Sequence, residues 1–429
     1  MLAKEVLDVD EIDLSDLEFW KRPWDEREGA FRTLRNLRPL AYFDEPDLSD
    51  VSLLAPPPGP GYKAVTRHAD VATISRHPEI YLSGKGAVSI IDLPTEMLDY
   101  FSGMISTDNP RHARLRRIVS QAFSPRMIRS IEGVIDDVAK DVINNVVGEG
   151  ECDFATDVAT PLPLKVICDM MGIPSSSYDE VLRCSNVILS NGDPEYFPQD
   201  QDPVTVFLGA AQTLTAMMQD LSAYRIANPT DDLTSALIST NIDGESLTHA
   251  ELSSFFILLV VAGNETTRNA ISHGLWALTE YPEQKEVWMN DIVAVTPSAV
   301  EEIVRWASPV IWMRRTVGED TELAGEPLSA GEKVLMFYNS ANRDETVFDD
   351  PWEFDVTRDP NPHFGFGAAG PHFCLGAHLA RQEISVMFKE IFERLGDIRA
   401  TSEPDRLQSN FINGIKHLPC SFTPHRPTN

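Results

Sequence analysis

The chain of 429 residues has few cysteines and no long apolar segment. Its five cysteines form no Cys-x-x-Cys pair, which argues against a zinc site or a disulfide framework. The longest apolar run, Phe255–Gly263, is far shorter than the roughly 20 residues that span a bilayer. The acidic N-terminus lacks the basic-then-apolar order of a secretion signal. The sequence therefore predicts a cytoplasmic protein without a membrane span.

Positive charge is scarce as well. The 36 lysines and arginines face 66 aspartates and glutamates, so the net charge is −30. A phosphate backbone would be repelled, which excludes nucleic acid as a partner. No repeat or low-complexity linker divides the chain. We therefore expect one domain over residues 1–429, with an acidic extension over residues 1–20 and a small β-rich portion over residues 40–90 that strands after residue 310 join.

Helical patterns dominate after residue 110. The longest begins where Thr248 and Glu251 form a capping box, and its apolar periodicity runs to Leu278, shortly before Pro282. A helix of about thirty residues crosses a whole molecule of this size at about 1.5 Å per residue. A second long helix is predicted over residues 375–395, and short strand patterns follow residue 310. The predicted fold class is mainly α with minor β.

A single cysteine, Cys374, lies between a glycine-rich loop and the start of the second long helix. Unpaired N–H groups at a helix N-terminus stabilise an anion, so a thiol there should lose its proton more readily. Gly370 and Gly376 remove side chains near the sulfur, which leaves room for a flat, bulky group. Three interpretations stay open: a nucleophile with His372 or His378 as its base, a ligand to a metal whose other ligands are not protein, as in haem, or a structural cysteine.

The segment from Phe366 to Gly376 resembles the haem-binding signature of the cytochrome P450 family, F-G-x-G-x-H-x-C-x-G. Phe366, Gly370, His372, Cys374 and Gly376 match it, with one residue more than usual between the phenylalanine and the cysteine. The resemblance implies that Cys374 ligates the iron of haem b (iron protoporphyrin IX). It also implies the family's fold, a triangular prism of helices with a long central helix over the haem.

Two further motifs precede the cysteine in the order that the family shows. Glu302 and Arg305 match its E-x-x-R motif, and Arg358 lies in a segment that resembles the region before the cysteine loop. Residues at positions i and i+3 share one face of a helix. By resemblance, the three residues form a buried ionic triad that braces the loop. A solvated surface pair is the alternative for a lone E-x-x-R.

The long central helix carries the segment "AGNETT", which resembles the family's oxygen-binding motif. The resemblance implies that Ala262 and Gly263 let the helix pass close over a flat cofactor and that Thr266 hydrogen-bonds bound oxygen or water. A threonine hydroxyl also bonds back to the i−4 carbonyl and bends a helix. Glu265 suits a proton relay, because burial disfavours the charged form of an acid. An ordinary surface position is the alternative for Glu265.

The haem of this family brings two carboxylates that need cationic partners. His112 and Arg116, four residues apart, resemble the family's helix that meets these carboxylates. Arg315 and His372 match two further contacts. Arg314 is adjacent to Arg315, so an assignment shifted by one residue stays open.

The residues that resemblance assigns to the substrate pocket are apolar: Leu259, Ile311, Trp312, Met313, Phe411 and Ile412. Together they favour an apolar substrate held by burial, although any one of them can be plain core. The chain is most similar to the bacterial branch that oxidises sterols and branched-chain lipids. Trp312 replaces the histidine usual in that branch, which would narrow the pocket. A terpenoid or another compact hydrocarbon therefore stays open.

Arginines concentrate between residues 110 and 129, in a chain that is otherwise acidic. We expect Arg111, Arg114 and Arg117 to form a basic patch that steers a small acidic ferredoxin; a solvated helix face is the alternative. The chain carries no flavin or nicotinamide fingerprint. Reducing equivalents from NAD(P)H are therefore expected to arrive through a separate ferredoxin reductase and ferredoxin.

These patterns predict a haem-thiolate monooxygenase that uses O2 to hydroxylate an apolar small molecule, with a sterol, steroid or branched-chain lipid as the expected class. Three other functions stay open. The chain would be a peroxygenase or NO-reducing relative if it needed no proton relay, a haem sensor or transport protein if it lacked turnover, or a cysteine hydrolase if Cys374 were a nucleophile.

Overall fold

The computed structural model describes residues 7–47, 56–101, 103–123, 125–190, 192–198 and 200–425. The side chains of residues 95, 96, 125, 126 and 128–130 lie outside this description. The described part is mainly α with a smaller β portion, as the sequence predicts.

Helices make up most of the molecule. In chain order they are α1 (Trp24–Leu37), α2 (His68–Arg76), α3 (Thr95–Phe101), α4 (Arg111–Ala122), α5 (Pro125–Val146), α6 (Pro161–Met171), α7 (Tyr178–Leu189), α8 (Pro203–Ala227), α9 (Leu233–Ser239), α10 (His249–Glu280), α11 (Pro282–Asn290), α12 (Ile292–Ala307), α13 (Tyr338–Ala341) and α14 (Ala377–Arg394). Short 3-10 or π segments, among them Gly103–Ser106 and Phe154–Ala159, connect several of them. Among the described residues, no helix is both long and apolar enough to cross a membrane.

The strands are short and come from distant parts of the chain. They are β1 (Leu40–Phe43), β2 (Tyr62–Val65), β3 (Tyr81–Leu82), β4 (Glu151–Asp153), β5 (Trp312–Val317), β6 (Thr321–Leu323), β7 (Glu326–Leu328), β8 (Lys333–Phe337), β9 (Arg399–Ala400), β10 (Asp405–Arg406), β11 (Ile415–His417) and β12 (Pro419–Ser421). One sheet has the order β1-β2-β8-β5-β3, so it joins strands before residue 90 to strands after residue 310.

Helix α10 is the central element of the helical part. Its 32 residues span about 48 Å, and it packs against α6, α8, α12 and α14. Its start follows the predicted capping box: the N–H of Glu251 donates to Thr248 Oγ1 at 3.2 Å, and the N–H of Thr248 donates to Glu251 Oε2 at 3.0 Å. Such reciprocal bonds satisfy N–H groups that the first helical turn leaves unpaired.

The N-terminal segment packs against the five-stranded sheet. Leu14, Phe19 and Trp20 are buried with Phe31 of α1 and with Phe337 of β8. This second core is separate from the larger core among the helices. The sheet and its core therefore support β5, the strand that carries Arg314 and Arg315.

Candidate active site

The loop before α14 holds Cys374 through its own backbone. The N–H of Cys374 donates to the carbonyl of Phe366 at 3.0 Å, and the N–H of Phe373 donates to the carbonyl of Gly370 at 3.2 Å. Gly367 takes a φ of 82°, a left-handed conformation that glycine adopts at low cost. Helix α14 begins only at Ala377, so Cys374 lies just before the helix and not in its first turn.

Cys374 is an exposed residue, although protein surrounds its thiol on most sides. Burial raises the pKa of this thiol, and the N–H of Gly376 and the guanidinium groups of Arg116 and Arg381 only partly offset the rise. The expected lowering of the pKa by the helix terminus is therefore wrong for the protein alone, because burial outweighs it. A bound metal cation reverses this balance, since a coordinating thiol is deprotonated outright.

One face of α10 is accessible in the middle of a helix that is otherwise largely buried. Ala262 is exposed, and Leu259, Gly263 and Thr266 are half-buried. Residues three and four apart share one helix face, so these positions form one stripe. A Cβ at Gly263 would meet Ile167 at an ordinary 3.5 Å, so this glycine is not required by close packing against protein. The stripe is an apolar surface against which a flat group can lie.

Thr266 and Glu265 occupy different surroundings on that helix. Thr266 Oγ1 donates to the carbonyl of Ala262 at 2.7 Å, the back-bond expected from the sequence. Glu265 is buried and is not surrounded by apolar groups alone. One of its carboxylate oxygens contacts Arg268 and accepts a bond from Asn269 Nδ2 at 3.2 Å, while Oε2 is buried without a described partner. An acidic oxygen is thus available one residue from Thr266.

Four basic side chains from three separate segments lie together beside the Cys374 loop. The rings of His112 and His372 are 4.1 Å apart between centroids, and Arg116 donates to the carbonyl of Phe373 at 2.7 Å. Arg315 is buried and donates to the carbonyl of Arg314 at 2.7 Å. We call His112, Arg116, Arg315 and His372 the basic cradle. In the described part of the chain, no carboxylate lies within ion-pair distance of either cradle arginine.

The electrostatics of the basic cradle favour an anionic ligand. Burial, Arg315, His112 and Arg116 together lower the pKa of His372 to about 2. Burial and Arg116 likewise lower the pKa of His112, whose Nε2 is buried without a described partner. Basic groups that lie close together disfavour one another's protonated forms, and an anion that enters between them stabilises those forms. The Nε2 of His112 and the guanidinium groups of Arg116 and Arg315, which have no carboxylate partner among the described residues, therefore fit the carboxylates of a haem.

Adjacent arginines on β5 point to opposite sides of the sheet, as the strand period requires. Arg314 binds Asp92 at 2.5 Å and also donates to the carbonyls of Ser89 and Ile90, each at 3.1 Å. Arg315 instead joins the basic cradle. The structure thus separates the two candidate registers and places Arg315, not Arg314, in the cradle.

The three residues of the predicted triad are in direct contact. Arg305 Nε and a terminal guanidinium nitrogen each bind Glu302 at 2.7 Å, and Arg358 Nε binds Glu302 Oε2 at 3.1 Å. The side chains of Glu302 and Arg305 have no exposed surface. Arg305 also donates to the carbonyls of Asn342 and Pro351 at 2.9 and 3.0 Å. The cluster therefore connects α12 to the segment that leads into the Cys374 loop.

The glycines around Cys374 have different local roles. A Cβ at Gly370 would lie 2.3 Å from the carbonyl oxygen of Ser75, so this position must be glycine for packing against α2. A Cβ at Gly376 would meet nothing within 4 Å. Gly370 is therefore required by a protein contact, and the expectation that both glycines leave room next to the sulfur stays a prediction.

The predicted substrate-pocket residues do not all reach the accessible stripe. Trp312 is buried on the Arg314 side of β5 and packs against Phe411, with ring centroids 4.9 Å apart. Strand alternation turns Trp312 to the Arg314 face of the sheet, and the prediction that it narrows the pocket stays a prediction. Ile311 and Ile412 are buried beside it. Met313, on the Arg315 side, is half-buried.

The predicted basic patch is largely neutralised by acids of the same chain. Arg111 binds Asp99 at 2.6 Å, Arg114 binds Glu251 at 2.8 Å, and Arg117 binds Glu245 at 3.1 Å. The expectation of a free patch from these three arginines is therefore not met. The side chains of Arg126 and Arg129 lie outside the described residues.

Several residues of the site carry no sequence motif that singled them out. Ser83 Oγ lies 3.0 Å from His372 Nε2. Arg381 stacks over the ring of Phe366 at 4.3 Å and binds Glu301. Glu383 of α14 is buried and its carboxyl contacts the side chain of Thr267, next to Thr266 on α10; burial raises its pKa to about 8. The sequence offers one indication of Glu383: it is an acid on the apolar side of an amphipathic helix.

The chain matches the family model described as cytochrome P450 over residues 204–407. It is 46% identical over 418 residues to a methyl-branched lipid omega-hydroxylase of Mycobacterium bovis, covering 97% of this chain and 95% of that protein. It is 39% identical over 367 residues to a steroid C26-monooxygenase of Mycolicibacterium smegmatis, covering 85% of this chain and 84% of that protein.

Solved structures agree with these relatives. A Mycobacterium marinum cytochrome P450 in complex with pseudoionone superposes with a TM-score of 0.90 at 42% identity, covering 97% of this chain and 100% of that chain. A Bacillus megaterium enzyme in complex with corticosterone gives a TM-score of 0.79 at 28% identity, covering 95% of this chain and 100% of that chain.

Proposed function

The chain belongs to the cytochrome P450 family and is a monooxygenase, and we propose that it hydroxylates a branched-chain lipid or a sterol side chain. The proposal for the substrate comes from the relatives, which are a lipid omega-hydroxylase and a steroid C26-monooxygenase. The half-buried apolar residues Leu259 and Met313 support it, because they favour a ligand held by burial.

One observation carries the assignment of the cofactor site. The exposed residue Cys374 lies beside the basic cradle of four groups. Among the described residues, neither arginine of the cradle has a carboxylate partner. We propose that Cys374 binds the haem iron and that His112, Arg116, Arg315 and His372 bind the haem carboxylates. Haem with a thiolate ligand activates dioxygen and favours cleavage of the O–O bond.

The roles of the helix α10 residues follow from their positions. Ala262 gives the accessible stripe a small side chain, so that a flat cofactor and an apolar substrate can approach the helix. Thr266 has a hydroxyl oxygen that still accepts a bond while its proton is donated to Ala262. We propose that Glu265 Oε2, buried and unpaired, exchanges protons with water near Thr266.

Electrons have to come from outside the haem site, and we propose a ferredoxin with a ferredoxin reductase and NAD(P)H as their source, in the cytoplasm. The paired states of Arg111, Arg114 and Arg117 give no free patch for docking. Arg116 is assigned to the haem carboxylates, so it is not counted as a docking residue. Reduction rates measured with several ferredoxins at rising ionic strength test whether cationic docking operates, since screening slows steered association.

The substrate assignment is tested by titrating the haem-loaded protein with methyl-branched fatty acids and cholesterol derivatives. Displacement of water near the iron changes the haem absorption spectrum, and product analysis then identifies the oxidised carbon. We expect a spectral shift and a terminal alcohol with at least one lipid class. No shift and no product with either class would contradict the proposal.

A terpenoid substrate is the second candidate. It is favoured by the Mycobacterium marinum relative, whose structure holds pseudoionone. A compact substrate also agrees with the prediction that Trp312, a bulky side chain that packs against Phe411, narrows the pocket. Pseudoionone belongs in the same titration, and tighter binding of pseudoionone than of every lipid would favour this candidate.

A further inference from the structure

A cavity of about 400 Å³ lies between the first turns of α10 and the helices α3, α4 and α8. One wall is apolar and buried, and is formed by Met104, Leu115, Val119 and Phe255. The rest of the lining includes polar residues, among them Asp99, Arg111, Thr215, Gln219, Glu251 and Ser254. None of these residues belongs to the basic cradle or to the Cys374 loop. We call this space the α3–α10 cavity.

One residue of the cavity wall, Phe255, lies on the same face of α10 as the accessible stripe. Phe255 precedes Ala262 by seven residues, which is about two helical turns and about 10 Å. Residues spaced by three, four or seven positions share a helix face. On α4, Leu115 is next to Arg116 of the basic cradle in sequence and lies on a different face of the helix. Helices α10 and α4 therefore each contribute residues to the proposed site and to the cavity wall.

On the polar side of the cavity, which we call its mouth, several residues are paired with one another. The hydroxyls of Tyr100 and Thr215 are 2.6 Å apart and connect α3 to α8. Arg111 binds Asp99 at 2.6 Å and connects α4 to α3. Paired charges at the mouth and an apolar wall favour a hydrocarbon and disfavour a buried charge.

We propose that the α3–α10 cavity holds the hydrocarbon chain of an elongated aliphatic lipid whose oxidised end lies at the Ala262–Thr266 stretch. This inference rests on the proposed function and deepens it, because it selects an elongated lipid over a compact terpenoid. A chain in this cavity is removed from water, and each buried methylene adds to the affinity. Affinity should therefore increase with chain length until the cavity is filled.

The test uses two substitutions that each place a larger side chain in the α3–α10 cavity. Thr215→Phe places a ring at the half-buried mouth, and Val119→Phe places one on the apolar wall. Ala216→Phe is the matched control, because Ala216 is exposed on the same helix and does not line the cavity. Thermal melting of each haem-loaded variant verifies folding; should Val119→Phe fail to fold, Thr215→Phe still tests the proposal.

Dissociation constants are measured by calorimetry and by spectral shift for a short and a long member of one methyl-branched fatty acid series. We expect Thr215→Phe and Val119→Phe to weaken binding of the long member roughly tenfold or more, with the short member and the Ala216→Phe control unaffected. Equal weakening of both members, or no weakening of either, would overturn the cavity assignment while the proposed function stands. A wild-type protein that binds neither member would overturn the lipid substrate itself.

Discussion

The N–H of Cys374 donates to the carbonyl of Phe366 across eight residues, at 3.0 Å. This bond closes the loop around the cysteine even though the loop is one residue longer than the family's common form. The contact uses main-chain atoms only. The position of the sulfur is therefore set by the loop backbone, and a substitution of the Cys374 side chain should leave the loop intact.

Replacement of Thr266 by alanine should separate substrate binding from productive turnover. The hydroxyl is the polar group on the accessible stripe of α10, and without it protons should reach the site less effectively. We expect an unchanged substrate affinity, a higher yield of hydrogen peroxide per electron pair and less alcohol. Thr266→Ser is the control, since it keeps the hydroxyl. Unchanged coupling in Thr266→Ala would remove this side chain from the proposed mechanism.

Removal of the Glu302 carboxylate should strongly destabilise the fold. Glu302→Ala leaves Arg305 and Arg358 buried without their shared anion. Breaking a buried ion pair in this way costs about 3–5 kcal/mol, and urea unfolding of the haem-loaded protein measures it. Glu286→Ala, at an exposed position of α11, should change the free energy of unfolding by less than about 0.5 kcal/mol. A loss below about 1 kcal/mol in Glu302→Ala would show that the triad does not brace the loop.

Arg315 and Arg314 should differ in their effect on haem retention. Arg315→Met removes a cation of the basic cradle, so we expect faster haem loss to a haem-scavenging protein. Arg314→Met breaks the contact with Asp92 on the other side of the sheet, so it should lower thermal stability with a smaller change in haem loss. Equal rates of haem loss in the two variants would contradict the proposed role of Arg315.

Glu383 should make the protein less stable as the pH rises, whereas a salt-bridged acid makes a protein more stable as the pH rises. Its pKa is raised from 4.5 to about 8 by burial, so between these values the native carboxyl keeps a proton that the unfolded chain releases. The free energy of unfolding should then fall as pH rises through this range, by up to about 1.4 kcal/mol per pH unit.

Glu383→Gln tests this pH dependence, because the amide has a similar shape and no charge to bury. Urea unfolding from pH 4.5 to pH 8 should give a flatter profile in this variant than in the wild-type protein. Glu393→Gln, exposed on the same helix, should leave the profile unchanged. Parallel profiles for Glu383→Gln and wild type would show that Glu383 is not protonated in the native protein.

The local parts of the site follow directly from the sequence. The capping box at Thr248 and Glu251 has a fixed spacing within one helical turn, and so does the contact between Glu302 and Arg305. Thr266 and its i−4 carbonyl are equally local. These relations depend on helix geometry alone, so a pattern of residues is sufficient to predict them.

The relations that the sequence misses are those between distant segments. The pairing of Arg114 with Glu251 joins residues 137 apart, and no pattern near either residue announces it. Gly370 is fixed by a carbonyl of α2. The side of the sheet that Trp312 occupies depends on the register of β5 against β8, which only the assembled sheet determines. The ion pairs between distant residues and the face of the sheet on which a strand residue lies therefore become known only from the structure.

The absorption spectrum of the reduced, carbon-monoxide-treated protein tests the central claim most directly, because it would distinguish haem bound through a thiolate from haem bound through another protein ligand. With haem bound through the Cys374 sulfur, the wild-type protein should give the red-shifted band typical of thiolate-ligated haem, and Cys374→Ala should fold and lack it. An unchanged band in Cys374→Ala, or a correctly folded wild-type protein that takes up no haem, would contradict the assignment of this cysteine as the iron ligand.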